Sequence, residues 1–276
     1  MKEFKAIIQA YDDATARGLQ TILTSVVHVE GSAYRRAGAR MLINESGQMT
    51  GAISGGCLEG DALRKAMLAL HQQKNKLITY DTSDENDAVI GAQLGCNGVI
   101  QVLFEPIDID HKNNPIECMR RICDAQQDAV LVSVFNSNKT AEQKGSIFLA
   151  LSDGTTFQNG IDKRLKTAII HESKLALKAK HSHFAEMCED VMCEQLFFQF
   201  VPRVLHLVIV GAGNDAIALA SMATTIGWKV SVQDGRPTHA NKDRFTAGCQ
   251  VIVSKPEDTL KHLILDDRTH IVLMSH

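Results

Sequence analysis

The chain has 276 residues, 45% hydrophobic and 22% charged, with a formal net charge of −3. That length holds two cores, since single domains run to about 100 to 200 residues, and the composition excludes a disordered or fibrous chain. Acids and bases are spread evenly, so nothing attracts DNA or a charged membrane surface along the whole sequence; no segment reaches the roughly 18 apolar residues of a membrane span, and residues 1–18 alternate acids with an apolar stripe instead of showing a signal-peptide core.

Nucleic acid and membrane are therefore not expected partners, and a cytoplasmic location is. The seven cysteines, Cys57, Cys96, Cys118, Cys123, Cys188, Cys193 and Cys249, include no C-x-x-C pair. An odd count without a signal peptide argues against a disulfide framework, so thiols are expected.

Phe4, Ile7, Ile8 and Tyr11 recur at helical spacing, and residues 22–29 read as a buried strand entering a Gly-rich stretch. Residues 41–43 and 49–53 flank a Glu45-Ser46-Gly47 turn as a hairpin, and residues 58–70 resume with helical periodicity after Gly55-Gly56. Further strands are expected at 77–80, 98–104, 129–135 and 146–151, with a helix at 116–125. Residues 162–196, rich in Lys, Ala, His and Glu, read as largely helical. His181, His183, Cys188 and Cys193 fall in that stretch with no standard zinc spacing, and read as surface histidines and core cysteines.

The domain boundary is placed near Val201, giving a mixed α+β domain over 1–200 and an α/β, Rossmann-like domain over 201–276. In the second domain strands at 204–210, 228–233, 250–253 and 270–274 alternate with helices at 216–226 and 256–263, the pattern of a right-handed parallel sheet. Doubly wound sheets usually continue beyond a fourth strand, so this domain is expected to be truncated or completed by another chain. A fourth strand at the sheet edge would expose unpaired backbone, from which a homodimer or an exchanged segment is expected.

Gly211-Ala212-Gly213-Asn214-Asp215-Ala216 follows an apolar strand and opens a helix, with Asp234 ending the next strand. That is the context of a dinucleotide fingerprint: Gly211 for the turn, Gly213 for close approach to pyrophosphate, and Asp234 for a ribose hydroxyl. Asp215 places a negative charge beside the phosphate position, and a plain β-α turn is the alternative. Gly55-Gly56-Cys57-Leu58-Glu59-Gly60 puts a thiol near a helix N-terminus, where the helix field favours thiolate. Cys57 could ligate a soft metal, carry sulfur or act as a nucleophile, or simply pack in a turn. Leu94-Gly95-Cys96-Asn97-Gly98 is a second glycine-flanked cysteine, and reads alone as a tight loop. A Gly-bounded loop from Gly31 to Arg40 carries Arg35, Arg36 and Arg40, whose forks suit an anionic ligand when they are not merely solvated. No nucleophile elbow, Walker loop, H-E-x-x-H helix or kinase signature is present.

In this order, Gly31-Ser32 with Arg35 and Gly38-Ala39, Gly55-Gly56-Cys57-Leu58-Glu59, Gly95-Cys96, Gly211-Ala212-Gly213 and Asp234-Gly235-Arg236-Pro237 resemble the xanthine dehydrogenase accessory protein (XdhC/CoxI) family. The resemblance covers nearly the whole chain, least clearly over 106–199. It implies a protein that binds molybdenum cofactor (molybdopterin) and protects it while a cysteine desulfurase provides the terminal sulfur. Delivery to a xanthine dehydrogenase-type molybdenum hydroxylase would follow. On this view Cys57 and Cys96 face the metal, and Arg35, Arg40, Gly55, Gly56 and Glu59 belong to the cofactor site together with Gly211, Gly213 and Asp234. Thiols suit a soft, sulfur-rich metal centre, and arginines suit the pterin phosphate.

The sequence departs from the family pattern at Tyr34 in place of proline, Asn97 in place of glycine, and Asn214 in place of histidine. Two other functions fit the residues. An NAD(P)-dependent oxidoreductase would use the Gly211 loop for NAD(P) or another nucleotide, and a scaffold would dock desulfurase to dehydrogenase without using either cysteine.

Overall fold

The computed structural model describes residues 1–81, 98–135, 143, 145–159, 161, 163–189 and 192–274. Two compact units divide them, one spanning Glu3–Pro202 and the other Arg203–His276 with Met1–Lys2.

The first unit opens with α1 (Lys2–Ala16), which buries Phe4, Ile7, Ile8, Tyr11 and Ala14 at the expected helical spacing. An antiparallel sheet follows, built from β1 (Thr21–Gly31), β2 (Arg40–Asn44), β3 (Met49–Gly51), β4 (Lys76–Asp81) and β5 (Gly98–Pro106), in the order β3-β2-β1-β5-β4. α2 (Glu59–Gln72) lies on it through Ala62, Ala66 and Ala69, three small residues on one helical face. Their size lets the helix approach Ile22, Met41, Ile43, Val102 and Phe104 of the sheet.

A second antiparallel sheet contains β6 (Ala129–Phe135), β7 (Gly145–Leu151), β8 (Thr156–Gln158), β9 (His183–Glu189) and β10 (Met192–Val201), in the order β8-β7-β6-β10-β9. α3 (Pro115–Ala125) begins at Asn114, whose side chain accepts from Glu117 N at 3.0 Å, with Pro115 in the first turn. α4 (Lys163–Ala179) covers one face of this sheet through Ile169 and Ala176. The other face meets the first sheet, where Val27, Leu103, Phe135 and Phe197 form one cluster.

The helix expected over 162–196 therefore stops early. Lys180 adopts a left-handed φ of 52°, which ends α4, and the chain then turns to period-2 alternation. Ala185 and Met187 pack toward the α4 side, while Phe184, Glu186 and Cys188 occupy the opposite face of β9.

The second unit is a four-stranded parallel sheet of β11 (His206–Val210), β12 (Lys229–Asp234), β13 (Gln250–Val253) and β14 (Thr269–Leu273), in the order β13-β12-β11-β14. α5 (Asn214–Thr225) packs on it through Ala216, Ala220 and Ala223. The helix expected over 256–263 is a 3-10 segment, Pro256–His262. β14 is an edge strand, with Ile271 and Leu273 exposed at 48% and 74%. Among the described residues no helix is long and apolar enough to cross a membrane.

Candidate functional site

Between β3 and α2 the chain makes a tight turn held by two side chains. Ser54 donates to Glu59 twice, from its backbone N to Oε1 at 2.8 Å and from Oγ to Oε2. Ser54 Oγ in turn accepts from Gly56 N at 3.2 Å and Leu58 N at 3.1 Å. Burial works to raise the Glu59 carboxyl, but hydrogen bonds from the Ser54 side chain and backbone outweigh it and hold the group below its ordinary value. Glu59 thus shapes the turn, while Gly55, Gly56 and Cys57 are exposed at its tip. Gly56 takes a φ of 110°, a backbone conformation closed to most other residues.

The arginine loop between β1 and β2 lies against this turn. A Cβ added to Gly55 would come 3.1 Å from the ring carbons of Tyr34, so the tyrosine ring covers that backbone. The same loop meets the start of β5: Gly98 pairs with Gly31, and a Cβ on Gly98 would fall 2.5 Å from the carbonyl oxygens of Glu30 and Ser32. One loop therefore touches the Gly55–Cys57 turn through Tyr34 and the strand following Cys96 through Ser32. Gly95, Cys96 and Asn97 lie outside the described residues.

The three arginines of the loop separate into different roles. Arg40 is 1% exposed, donating to Gly38 O at 2.9 Å and Gln199 Oε1 at 2.6 Å, and burial lowers its pKa to about 10. A ligand cannot reach that guanidinium without displacing the core, so Arg40 serves the fold. Arg35 donates to Glu3 Oε2 at 2.6 Å, and Glu3 Oε1 accepts from Arg40 N at 3.1 Å, so the carboxylate closes the loop. Arg36 is exposed, and its side chain makes no hydrogen bond or ion pair among the described residues, while its backbone carbonyl accepts from Ala39 N at 3.1 Å. Arg36 is read in the sequence among the loop arginines and Tyr34 only as a departure from the family pattern, while the part of Ser54 in the turn is not read from the sequence at all.

In the parallel-sheet unit, Gly211 takes a φ of 112° and donates its N–H to Gln233 O at 2.7 Å, closing the turn into α5. Asp234, 7% exposed, accepts four bonds: Ala212 N at 2.9 Å and Arg236 Nη2 at 2.8 Å on Oδ2, Arg236 N at 2.9 Å and Arg236 Nε at 3.0 Å on Oδ1. A carboxylate has about four lone-pair positions, so this one is filled. The Arg236 side chain, bonded to both oxygens, holds the Asp234 carboxyl far below its usual range. Asp234 is thus tied to the Gly loop and to the exposed Arg236 side chain. Arg244 spans the same loop, donating to Ala212 O at 2.9 Å and Asn214 Oδ1 at 2.9 Å. Gly213 caps α5 without a side chain, and a Cβ there would meet Asp215 Oδ1 at 2.5 Å.

The other cysteines divide by environment. Burial pushes the Cys118 thiol up to about 11, and raises Cys123 and Cys249 as well, so these are poor nucleophiles. Cys188 and Cys193, expected as thiols, form a disulfide, because β9 and β10 place them directly opposite each other with Cα atoms 4.0 Å apart. His183 lies on the other face of β9, bonded to Glu172 at 3.1 Å and stacked on Phe198, so the histidines and cysteines of this stretch do not converge.

Residues 14–81 match the XdhC and CoxI family, and residues 207–276 match the XdhC Rossmann domain. A Bacillus subtilis (strain 168) protein described as a probable xanthine dehydrogenase subunit is 30% identical over 257 residues, 93% of this chain and 72% of that protein. The chain belongs to the XdhC and CoxI family. The Escherichia coli (strain K12) "Molybdenum cofactor insertion chaperone PaoD" is a further relative, 30% identical over 105 residues, which is 38% of this chain and 32% of that protein. A crystal structure from Bacillus halodurans, described as a xanthine dehydrogenase, matches with a TM-score of 0.72 at 26% identity, covering 97% of this chain and 74% of that one. The first family match contains the arginine loop and the Cys57 turn together, and the second begins one residue into β11.

Proposed function

We propose that this chain is a molybdenum-cofactor chaperone that binds the cofactor at the tip formed by the arginine loop and the Gly55–Cys57 turn, and supplies it to a xanthine dehydrogenase-type molybdenum hydroxylase. The observation that carries this role is the contact of one loop with both glycine-cysteine segments, through Tyr34 on Gly55 and Ser32 on Gly98. The relationship to a relative described as a molybdenum cofactor insertion chaperone supports the choice of cargo.

The residues at the tip suit that cargo. Cys57 offers an exposed sulfur to a soft metal. Arg36 offers an exposed guanidinium, unpaired among the described residues, to the pterin phosphate, and Gly56, with nothing within 4 Å of where a Cβ would stand, leaves its backbone bare for a planar ring system beside the Tyr34 ring. Glu59 and Ser54 keep the turn in shape. Cys96, two residues before Gly98 in the chain, is the proposed second thiol. While the cofactor is held, a cysteine desulfurase provides the terminal sulfur, and the loaded chain then docks on its client enzyme. The proposed setting is the cytoplasm, and the proposed assembly is a homodimer through the β14 edge, whose exposed Ile271 and Leu273 suit pairing with a second copy.

The test is a titration of the purified chain with molybdenum cofactor, followed by separation from free cofactor and measurement of pterin retained per chain. Stoichiometric retention that falls in Cys57→Ala and Arg36→Ala supports the role. Equal retention in wild type and both variants removes the site.

A further inference from the structure

Glu186, Cys188 and Cys193 lie on one face of the β9–β10 hairpin, and their ligating atoms all fall within 4.8 Å of one another. The arrangement follows from strand geometry: Glu186 and Cys188 are two apart on β9, and Cys193 is the cross-strand partner of Cys188. Glu186 and Cys188 are exposed and Cys193 is half-buried, so the group is open to solvent. None of the three takes part in the cofactor tip described above.

As a covalent staple the disulfide contributes less than a long-range crosslink would. It links residues only five apart that the β9–β10 ladder already holds together from Met192↔Glu189 to Phe198↔His183. A crosslink stabilises mainly by closing a long loop in the unfolded chain, and here the loop is very short. Two sulfurs and a carboxylate on one exposed hairpin face are better suited to ligand chemistry.

We propose that this hairpin is a redox-gated site for a soft divalent cation of the zinc class. In the oxidised state the sulfurs are joined and hold no metal. A dithiol reductant delivers two electrons and two protons across the Sγ–Sγ bond, giving two thiols, and is itself converted to a disulfide. The incoming cation then displaces the two thiol protons to solvent and takes two thiolates and the Glu186 carboxylate as ligands, leaving a fourth position for water. Two thiolates select zinc-class cations over magnesium or calcium.

The test uses cobalt(II) as the spectroscopic probe on the full chain, under argon, after reduction and removal of the reductant. One equivalent of cobalt is expected to give a thiolate-to-metal charge-transfer band. That band should disappear on oxidation with diamide, return on re-reduction, be lost in Cys188→Ser and Cys193→Ser, and weaken at least tenfold in affinity in Glu186→Gln. Cys57→Ser, which removes a separate exposed thiol, should keep it. Circular dichroism of each reduced variant checks that the fold is intact, and the diamide cycle on wild type tests the gate without any substitution. No band in the reduced wild-type chain, or a band that survives Cys188→Ser and vanishes in Cys57→Ser, overturns the proposal.

Discussion

The ring of Tyr34 rests on the backbone of Gly55, 3.1 Å from where a Cβ would stand. Tyr34 is 72% exposed, so an added methyl at Gly55 can push the ring away at little cost. Gly55→Ala should change unfolding free energy by less than about 1 kcal/mol, yet lower cofactor retention severalfold by displacing Tyr34. Gly98→Ala is the contrasting case, because its Cβ would meet backbone oxygens of Glu30 and Ser32 at 2.5 Å and neither can yield. A loss of about 2 kcal/mol or more is expected there. Urea midpoints of the two variants, read beside pterin retention, separate the effects.

Glu59 ties the Cys57 turn to pH. Its folded carboxyl lies below the ordinary value of 4.5, so the stabilisation is fully present above that pH and is lost as pH falls through the lower folded value. Ser54→Ala leaves Gly56 N and Leu58 N without their acceptor and should cost about 1 to 2 kcal/mol. Glu59→Gln should flatten the acid side of the stability profile. Unfolding measured between neutral pH and pH 3 checks both, and an unchanged acid limb in Glu59→Gln would contradict the clamp.

Arg36 and Arg40 should behave oppositely. Arg40→Met removes the buried donor to Gly38 O and Gln199 Oε1 and should destabilise the chain by about 3 kcal/mol. Arg36→Ala should leave stability within about 0.5 kcal/mol of wild type while weakening cofactor retention. Thermal melts paired with retention decide the matter.

Asp234 is filled by four donors from Ala212 and Arg236. Calorimetric titration with NAD or NADP should therefore give no saturable heat at micromolar ligand. Asp234→Ala should lower the stability of the parallel-sheet unit by about 2 to 3 kcal/mol. Because the folded carboxyl sits below its ordinary 3.8, that contribution is present above pH 3.8 and fades as the pH drops further.

Elements with strong local pattern were readable from the sequence. α1 carries its apolar stripe openly, and the β2–β3 hairpin is marked by Glu45-Ser46-Gly47. The strand–Gly211–helix step was legible because turn, glycine and periodicity coincide. Residues 183–189 and 192–196 were not, because Glu, Met and Ala favour helix locally and only the packing of Ala185, Met187 and Leu196 in the core beneath α4 makes them strands. The disulfide followed from that missed hairpin. At the site, spacing marked Cys57 and the arginines but could not tell buried Arg40 from exposed Arg36, because burial is decided by residues as remote as Gln199. Asp234 matched its motif in sequence, and only the neighbouring Arg236 revealed that its oxygens are taken.

Whether the exposed Cys57 turn holds molybdenum cofactor is read from the pterin retained per chain by wild type and Cys57→Ala at equal cofactor excess. Near-stoichiometric retention by wild type, with at least a tenfold loss of affinity in a normally folded Cys57→Ala, is the predicted result. Equal retention by the two proteins, or none by wild type, would contradict it.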